Sequence, residues 1–135
     1  YPGIREAVEV LAAQEHTVLG IATGKSMRGL EALLDGQGLR HHFFTLQVAD
    51  HHPSKPHPSM LLTAMSEAGI GPDRSVMIGD TSFDMDMARA AGMPGIAVGW
   101  GYHPATELGS ATRHVTTAAE LPGAVDAVLE REATA

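Results

Sequence analysis

Four short apolar runs punctuate the chain, at Thr17 to Ala22, Thr45 to Ala49, Ser75 to Gly79 and Gly95 to Val98, with a helical pattern between each and the next. Compact apolar runs bounded by Gly, Ser and Thr read as strands buried on both faces. A strand that feeds a helix returns to a parallel neighbour by a right-handed crossover. The alternation therefore predicts an α/β fold, a parallel sheet covered by helices on both sides. The same crossover rule sends every strand's carboxyl end to one rim, where open α/β sheets bind their ligands.

The helices announce themselves by capping and periodicity. Ile4, Val8 and Leu11 share one face of a helix over Ile4 to Gln14. Ser26 caps a helix with Met27, Leu30, Leu33 and Leu34 as its stripe, stopped by Gly36. Pro58 opens a helix carrying Leu61, Leu62, Met65 and Ala68 and closed by Gly69. A further helix runs from about Ser82 to Ala91 and stops at Gly92. His114-Val115 reads as a small edge strand. Thr117 with Glu120 reads as a capping box before a last helix with Pro122 in its first turn and Val125, Val128 and Leu129 buried.

At 135 residues the chain fits one domain, spanning 1–135. A net charge of −7 argues against nucleic-acid and anionic-membrane partners, which need clustered Lys and Arg. No run approaches the ~18 apolar residues of a membrane span. With no cysteine and no secretory pattern, a cytoplasmic setting is expected.

The rim gathers the polar chemistry. The run Val76-Met77-Ile78 stops at Gly79-Asp80, and Asp84 follows on the first turn of the next helix. Carboxylates grouped at a strand end suit a hard cation such as Mg²⁺. Thr23 and Gly24, just before a helix N-terminus, offer a hydroxyl and a backbone N–H to an anion. Lys55 lies in Ser54-Lys55-Pro56-His57-Pro58, where Pro56 biases it toward an extended conformation and aims its ammonium at the rim. Gly24-Lys25-Ser26 is not a P-loop, because Leu19 stands where that motif needs glycine and Gly20 is one residue out of register. His41, His42, His51, His52 and His57 lack zinc-site spacing and read as surface or loop residues. Trp100 and Tyr102 read as packing beside the rim, and Met85, Met87, Ala88 and Ala91 as helix packing.

Ala22-Thr23-Gly24, Ser54-Lys55-Pro56-His57-Pro58 and Ile78-Gly79-Asp80-Thr81-Ser82-Phe83-Asp84 together resemble motifs II, III and IV of the haloacid dehalogenase superfamily. Tyr1-Pro2-Gly3, Ala90-Ala91-Gly92 and Gly99-Trp100-Gly101-Tyr102 resemble its phosphoglycolate-phosphatase-like branch. The resemblance implies a three-layer Rossmann-like core and a Mg²⁺-dependent phosphatase of small phosphorylated metabolites that works through an aspartyl-phosphate. It implies that Thr23, Gly24 and Lys55 bind the phosphoryl group. Asp80 would bind Mg²⁺, directly or through water, and Asp84 would position Lys55 or a metal-bound water.

Motif I, the Asp-x-Asp pair of the family's first strand, is not in the chain. Asp84-Met85-Asp86 lies within a helix and cannot replace it. The resemblance thus implies the carboxyl-terminal part of a core, incomplete because its central first strand is absent, without nucleophile or cap and inactive by itself. That strand would lie between the ones ending at Thr23 and Asp80. Unpaired buried backbone at its place is costly, so three outcomes are expected. The neighbours close on each other, another chain fills the slot and so drives self-association, or the core packs poorly. A different class of function is a non-catalytic α/β binding domain that keeps an anion site at Thr23, Gly24 and Lys55. A dehalogenase is disfavoured, because Gly79-Asp80 to Asp84 suits a metal site.

Overall fold

The structure, a computed structural model, describes residues 3–14, 17–98 and 113–133. In chain order its elements are α1 (Ile4–Ala13), β1 (Leu19–Ala22), α2 (Met27–Gln37), β2 (Phe43–Gln47), α3 (Ser59–Ala68), β3 (Met77–Gly79), α4 (Ser82–Ala90), β4 (Gly95–Val98), β5 (Arg113–Val115) and α5 (Leu121–Ala133). Every strand pair is parallel.

Alternation along the strands builds three layers, because successive side chains leave opposite faces. Val76, Ile78, Ile96 and Val98 pack with Ala7 and Leu11 of α1 and Leu121 and Val125 of α5. Met77 turns the other way, into a cluster of α3 and α4 side chains that includes Met60, Met65 and Met87. Ala97 meets Met85 on that same side. Ile21, Phe43 and Leu46 pack with Leu30 and Leu34 of α2. The α/β layering is therefore as the alternation predicts, its three-layer Rossmann-like form is as the resemblance implies, and Met85, Met87, Ala88 and Ala91 are buried packing residues.

Several local expectations are corrected. β1 starts at Leu19 rather than Thr17, and β2 spans Phe43–Gln47, after which Ala49–His51 forms a 3-10 turn. α2 runs past Gly36 to Gln37 and ends at Gly38, whose φ of 66° is the left-handed conformation that a chain-stopping glycine supplies. Thr117 makes no side-chain cap. Thr116 bonds Glu120 instead, through its N–H at 3.1 Å and its hydroxyl at 3.2 Å, one residue upstream of the expected box. Trp100, Tyr102 and the segment Gly99 to Gly109 lie outside the described residues.

Of the three outcomes expected at the place of the missing strand, closure of β1 on β3 is not the one that forms. The strands form two sheets, β1-β2 and β3-β4-β5, with no ladder between β1 and β3. A slot of about 390 Å³ separates them, lined on one side by Leu19 and Ile21 and on the other by Met77 and Ile78. Leu61 and Met65 of α3 cover one face of it, and Leu11 and Val125 border the other. A dry void of that size would cost on the order of 9 kcal/mol by the usual cavity slope, as much as a whole domain's stability. The slot is open to solvent. Gly20 is exposed and the other residues of β1 and β3 are half-buried, so water reaches the unpaired backbone. Side-chain clusters joining Leu19 to Ile78 and Ala22 to Met77 hold the two sheets together.

Candidate functional site

The strongest polar contact at the rim joins two residues 29 apart in sequence, Lys55 Nζ and Asp84 Oδ1, at 2.6 Å. Asp84 is 4% exposed, and the Lys55 side chain 23%. A carboxylate so buried needs a partner, and a charge-assisted hydrogen bond supplies it. Asp84 Oδ2 accepts from Thr81 Oγ1 at 3.1 Å, and Thr81 caps α4 by accepting the Asp84 N–H. Both carboxylate oxygens are thereby held.

Gly79 makes this arrangement possible. A Cβ on it would lie 2.7 Å from Asp84 Oδ2 and 2.8 Å from Asp84 Cγ, so only glycine lets the carboxylate fold back over the end of β3. Lys55 arrives from a turn in which His57 N–H donates to the Ser54 carbonyl at 3.1 Å, and its peptide to Pro56 is cis.

Thr23 ends β1 with its N–H on the Gln47 carbonyl at 3.0 Å. Its hydroxyl accepts the Lys25 N–H at 3.2 Å, which leaves the hydroxyl proton free to donate outward. Gly24 is exposed, has no left-handed φ, and would carry a Cβ with nothing within 4 Å. No neighbour in the described structure requires glycine there. The helix N-terminus behind these residues is less open than the sequence implies. Ser26 Oγ takes the Gly29 N–H at 3.1 Å, and Asp50 Oδ2 takes the Met27 N–H at 3.2 Å. An anion here would meet Thr23 and Gly24 rather than the first turn of α2.

Asp80 is half-buried at the end of β3. Among the described residues no group of three or more His, Cys, Asp or Glu side chains is placed to hold a metal. The residues present fit one side of a Mg²⁺ site only. Asp80 can offer an oxygen, while Asp84 is committed to Lys55 and Thr81, and a six-coordinate hard cation needs further oxygens. Of the five candidate histidines, His41, His42 and His51 lie in short 3-10 turns and His52 and His57 in the loop that follows. The His41 and His42 rings lie 4.0 Å apart, tilted by 40°, and His52 and His57 brace the Lys55 turn. Sequence reading missed Asp50 and His52 as parts of the site's support. Their partners, Met27 N–H, Gln47 and Ser59, come from other elements, and no local spacing announces them. No described helix is long and apolar enough to cross a membrane.

A family model described as haloacid dehalogenase-like hydrolase matches residues 1–98. A probable phosphatase, IndB, from Dickeya dadantii strain 3937 is 40% identical over 134 residues, covering 96% of this chain and 57% of its own length. A phosphoglycolate phosphatase from Chromobacterium violaceum is 40% identical over 111 residues, covering 82% of this chain and 50% of its own. The crystal structure of a HAD-superfamily hydrolase, subfamily IA, from Geobacter sulfurreducens superposes with a TM-score of 0.77 at 28% identity, over 91% of this chain and 59% of that one. The chain spans about half the length of the curated relatives it matches.

Proposed function

This chain belongs to the haloacid dehalogenase-like hydrolase family, and on that premise we propose that it carries the phosphate-binding and metal-facing half of a phosphatase for small phosphate monoesters. The observation that carries the reading is the Lys55–Asp84 pair, a nearly buried carboxylate holding an ammonium at 2.6 Å at a strand's carboxyl end. An ammonium has three N–H donors. One is spent on Asp84, and two remain for a phosphoryl oxygen and for a nucleophilic carboxylate.

In this reading Thr23 donates its hydroxyl proton to a second phosphoryl oxygen, and the open space over Gly24 admits the phosphate to the backbone N–H. Asp84 is the residue that fixes Lys55. Asp80 would hold Mg²⁺, which when bound supplies charge neutralisation at the phosphoryl group. The nucleophilic aspartate would come from a strand seated in the slot between β1 and β3, where its carboxyl end would lie between Thr23 and Asp80. The names of the relatives favour phosphoglycolate or a similarly small phosphorylated metabolite as substrate.

The test is Mg²⁺-dependent release of phosphate from phosphoglycolate and from a generic aryl phosphate. The whole protein containing this chain should turn over. In it, Lys55→Ala should lower kcat by about a thousandfold and Asp84→Asn by about a hundredfold, through misplaced Lys55. The chain of 135 residues alone should be inactive. Turnover that survives Lys55→Ala would remove the reading.

A further inference from the structure

Beneath the Lys55 turn runs a chain of polar contacts that the proposed chemistry does not use. Thr45 and Gln47 of β2 are each only 5% exposed, and both reach Glu67 of α3. Glu67 Oε1 accepts from Thr45 Oγ1 at 2.6 Å and from Gln47 Nε2 at 3.1 Å. Gln47 Nε2 also donates to Thr45 Oγ1 at 2.7 Å. An ionised carboxylate only accepts, so Glu67 fixes the Gln47 amide with its nitrogen inward and its oxygen toward His52. That oxygen lies 2.7 Å from His52 Nε2. An amide oxygen also only accepts, so Nε2 carries the proton.

The other ring nitrogen reaches across the loop. His52 Nδ1 lies 2.7 Å from Oγ of Ser59, the first residue of α3. The imidazole thus ties the end of β2 to the start of α3, with Lys55 between the tied points. Pro53, Ser54, Pro56 and His57 are all exposed, so no apolar burial holds this turn. Its order has to come from polar ties, which remove the entropy of a loose loop. The Ser59 N–H on His57 Nδ1, at 3.1 Å, adds a second. Gln47 has a double office, since its backbone carbonyl also anchors Thr23.

We propose that His52, held as its Nε2–H tautomer by Glu67 acting through Gln47, is the positioning residue that clamps the Lys55 turn and keeps its ammonium on Asp84. Its consequence for catalysis rests on the phosphate-binding reading of Lys55. The clamp itself is a property of this chain and is tested without any turnover assay.

The sequence has two lysines, Lys25 and Lys55, and the exposed Lys25 serves as internal standard. Competitive acetylation of the purified chain, read by peptide mass spectrometry, should label Lys55 about tenfold more slowly than Lys25. His52→Ala should bring the two rates to within about twofold, and His52→Gln, which restores a donor toward Gln47, should recover at least half of the lost protection. Long-range ¹H–¹⁵N spectra of the unsubstituted chain should show His52 as the Nε2–H tautomer, and Glu67→Gln should weaken that preference. An Nδ1–H tautomer overturns the proposal, as does Lys55 protection unchanged in a folded His52→Ala chain. Should His52→Ala not fold, the tautomer and the Glu67→Gln spectra decide. A whole protein inactive on phosphate monoesters would remove the catalytic reading and leave the clamp standing.

Discussion

The two sheets differ in what holds them. In the β3-β4-β5 sheet, all four residues of β4 are buried, and Met85 and Met87 of α4 press on it at 1% and 0% exposure. Two glycines there, Gly79 and Gly95, exist to let α4 approach, since a Cβ on Gly95 would lie 2.8 Å from Met85 Sδ. The β1-β2 sheet also packs on α2, through Ile21, Phe43 and Leu46, but toward α3 it is braced by polar contacts, Thr45 and Gln47 bonding Glu67 and Gln47 bonding His52, while Phe44 on β2 stands 64% exposed. Close apolar packing of α4 on β3 and β4 seats the helix that carries Asp84. Hydrogen-bonded bracing holds the Lys55 turn. The Lys55–Asp84 bond is where the two meet.

If that contrast is right, substitutions of similar size should separate the sheets by their cost. Met85→Ala should destabilise by about 3 kcal/mol, the transfer and cavity terms of a dry site adding together, as read from a urea midpoint at unchanged slope. Gly79→Ala should cost about 2 kcal/mol by overpacking and should also free Lys55 in the acetylation assay. Gly24→Ala, with open space around it, should stay within about 0.5 kcal/mol and serves as the matched control. Phe44→Ser on the polar-braced sheet should likewise change stability by no more than about 0.5 kcal/mol. A loss for Phe44→Ser equal to that of Met85→Ala would erase the distinction.

The same contrast explains what could be read in advance. The apolar half was legible because burial on both faces leaves a periodic trace. The run ending at Gly79-Asp80, the Gly95–Val98 strand and the methionines of α4 all follow from spacing. Thr23, Lys55 and Asp84 were legible as candidates because they cluster at strand ends, and the structure joins Lys55 to Asp84. The polar half was not. His52 looks like any loop histidine until Gln47 and Ser59 are placed beside it, and the one-residue shift from Thr117 to Thr116 at Glu120 depends on geometry that residue types alone do not set. The fate of the slot was also hidden. Its neighbours' sequences say that they want a partner, but not whether side-chain clusters can hold them apart.

Hydrogen exchange at single amides tests the slot most directly. Because Thr23 N–H bonds β2 and Met77 N–H bonds Pro94 beside β4, alternation turns the N–H groups of Ala22 and Ile78 toward the slot. In the isolated chain, Ala22 and Ile78 should exchange at least a hundredfold faster than Ile96 in the middle of its sheet. In the whole protein they should become as slow as Ile96, as a strand between β1 and β3 takes up their hydrogen bonds. Ala22 and Ile78 protected like Ile96 in the isolated chain would mean that the two sheets already pair, and no strand would be needed between them.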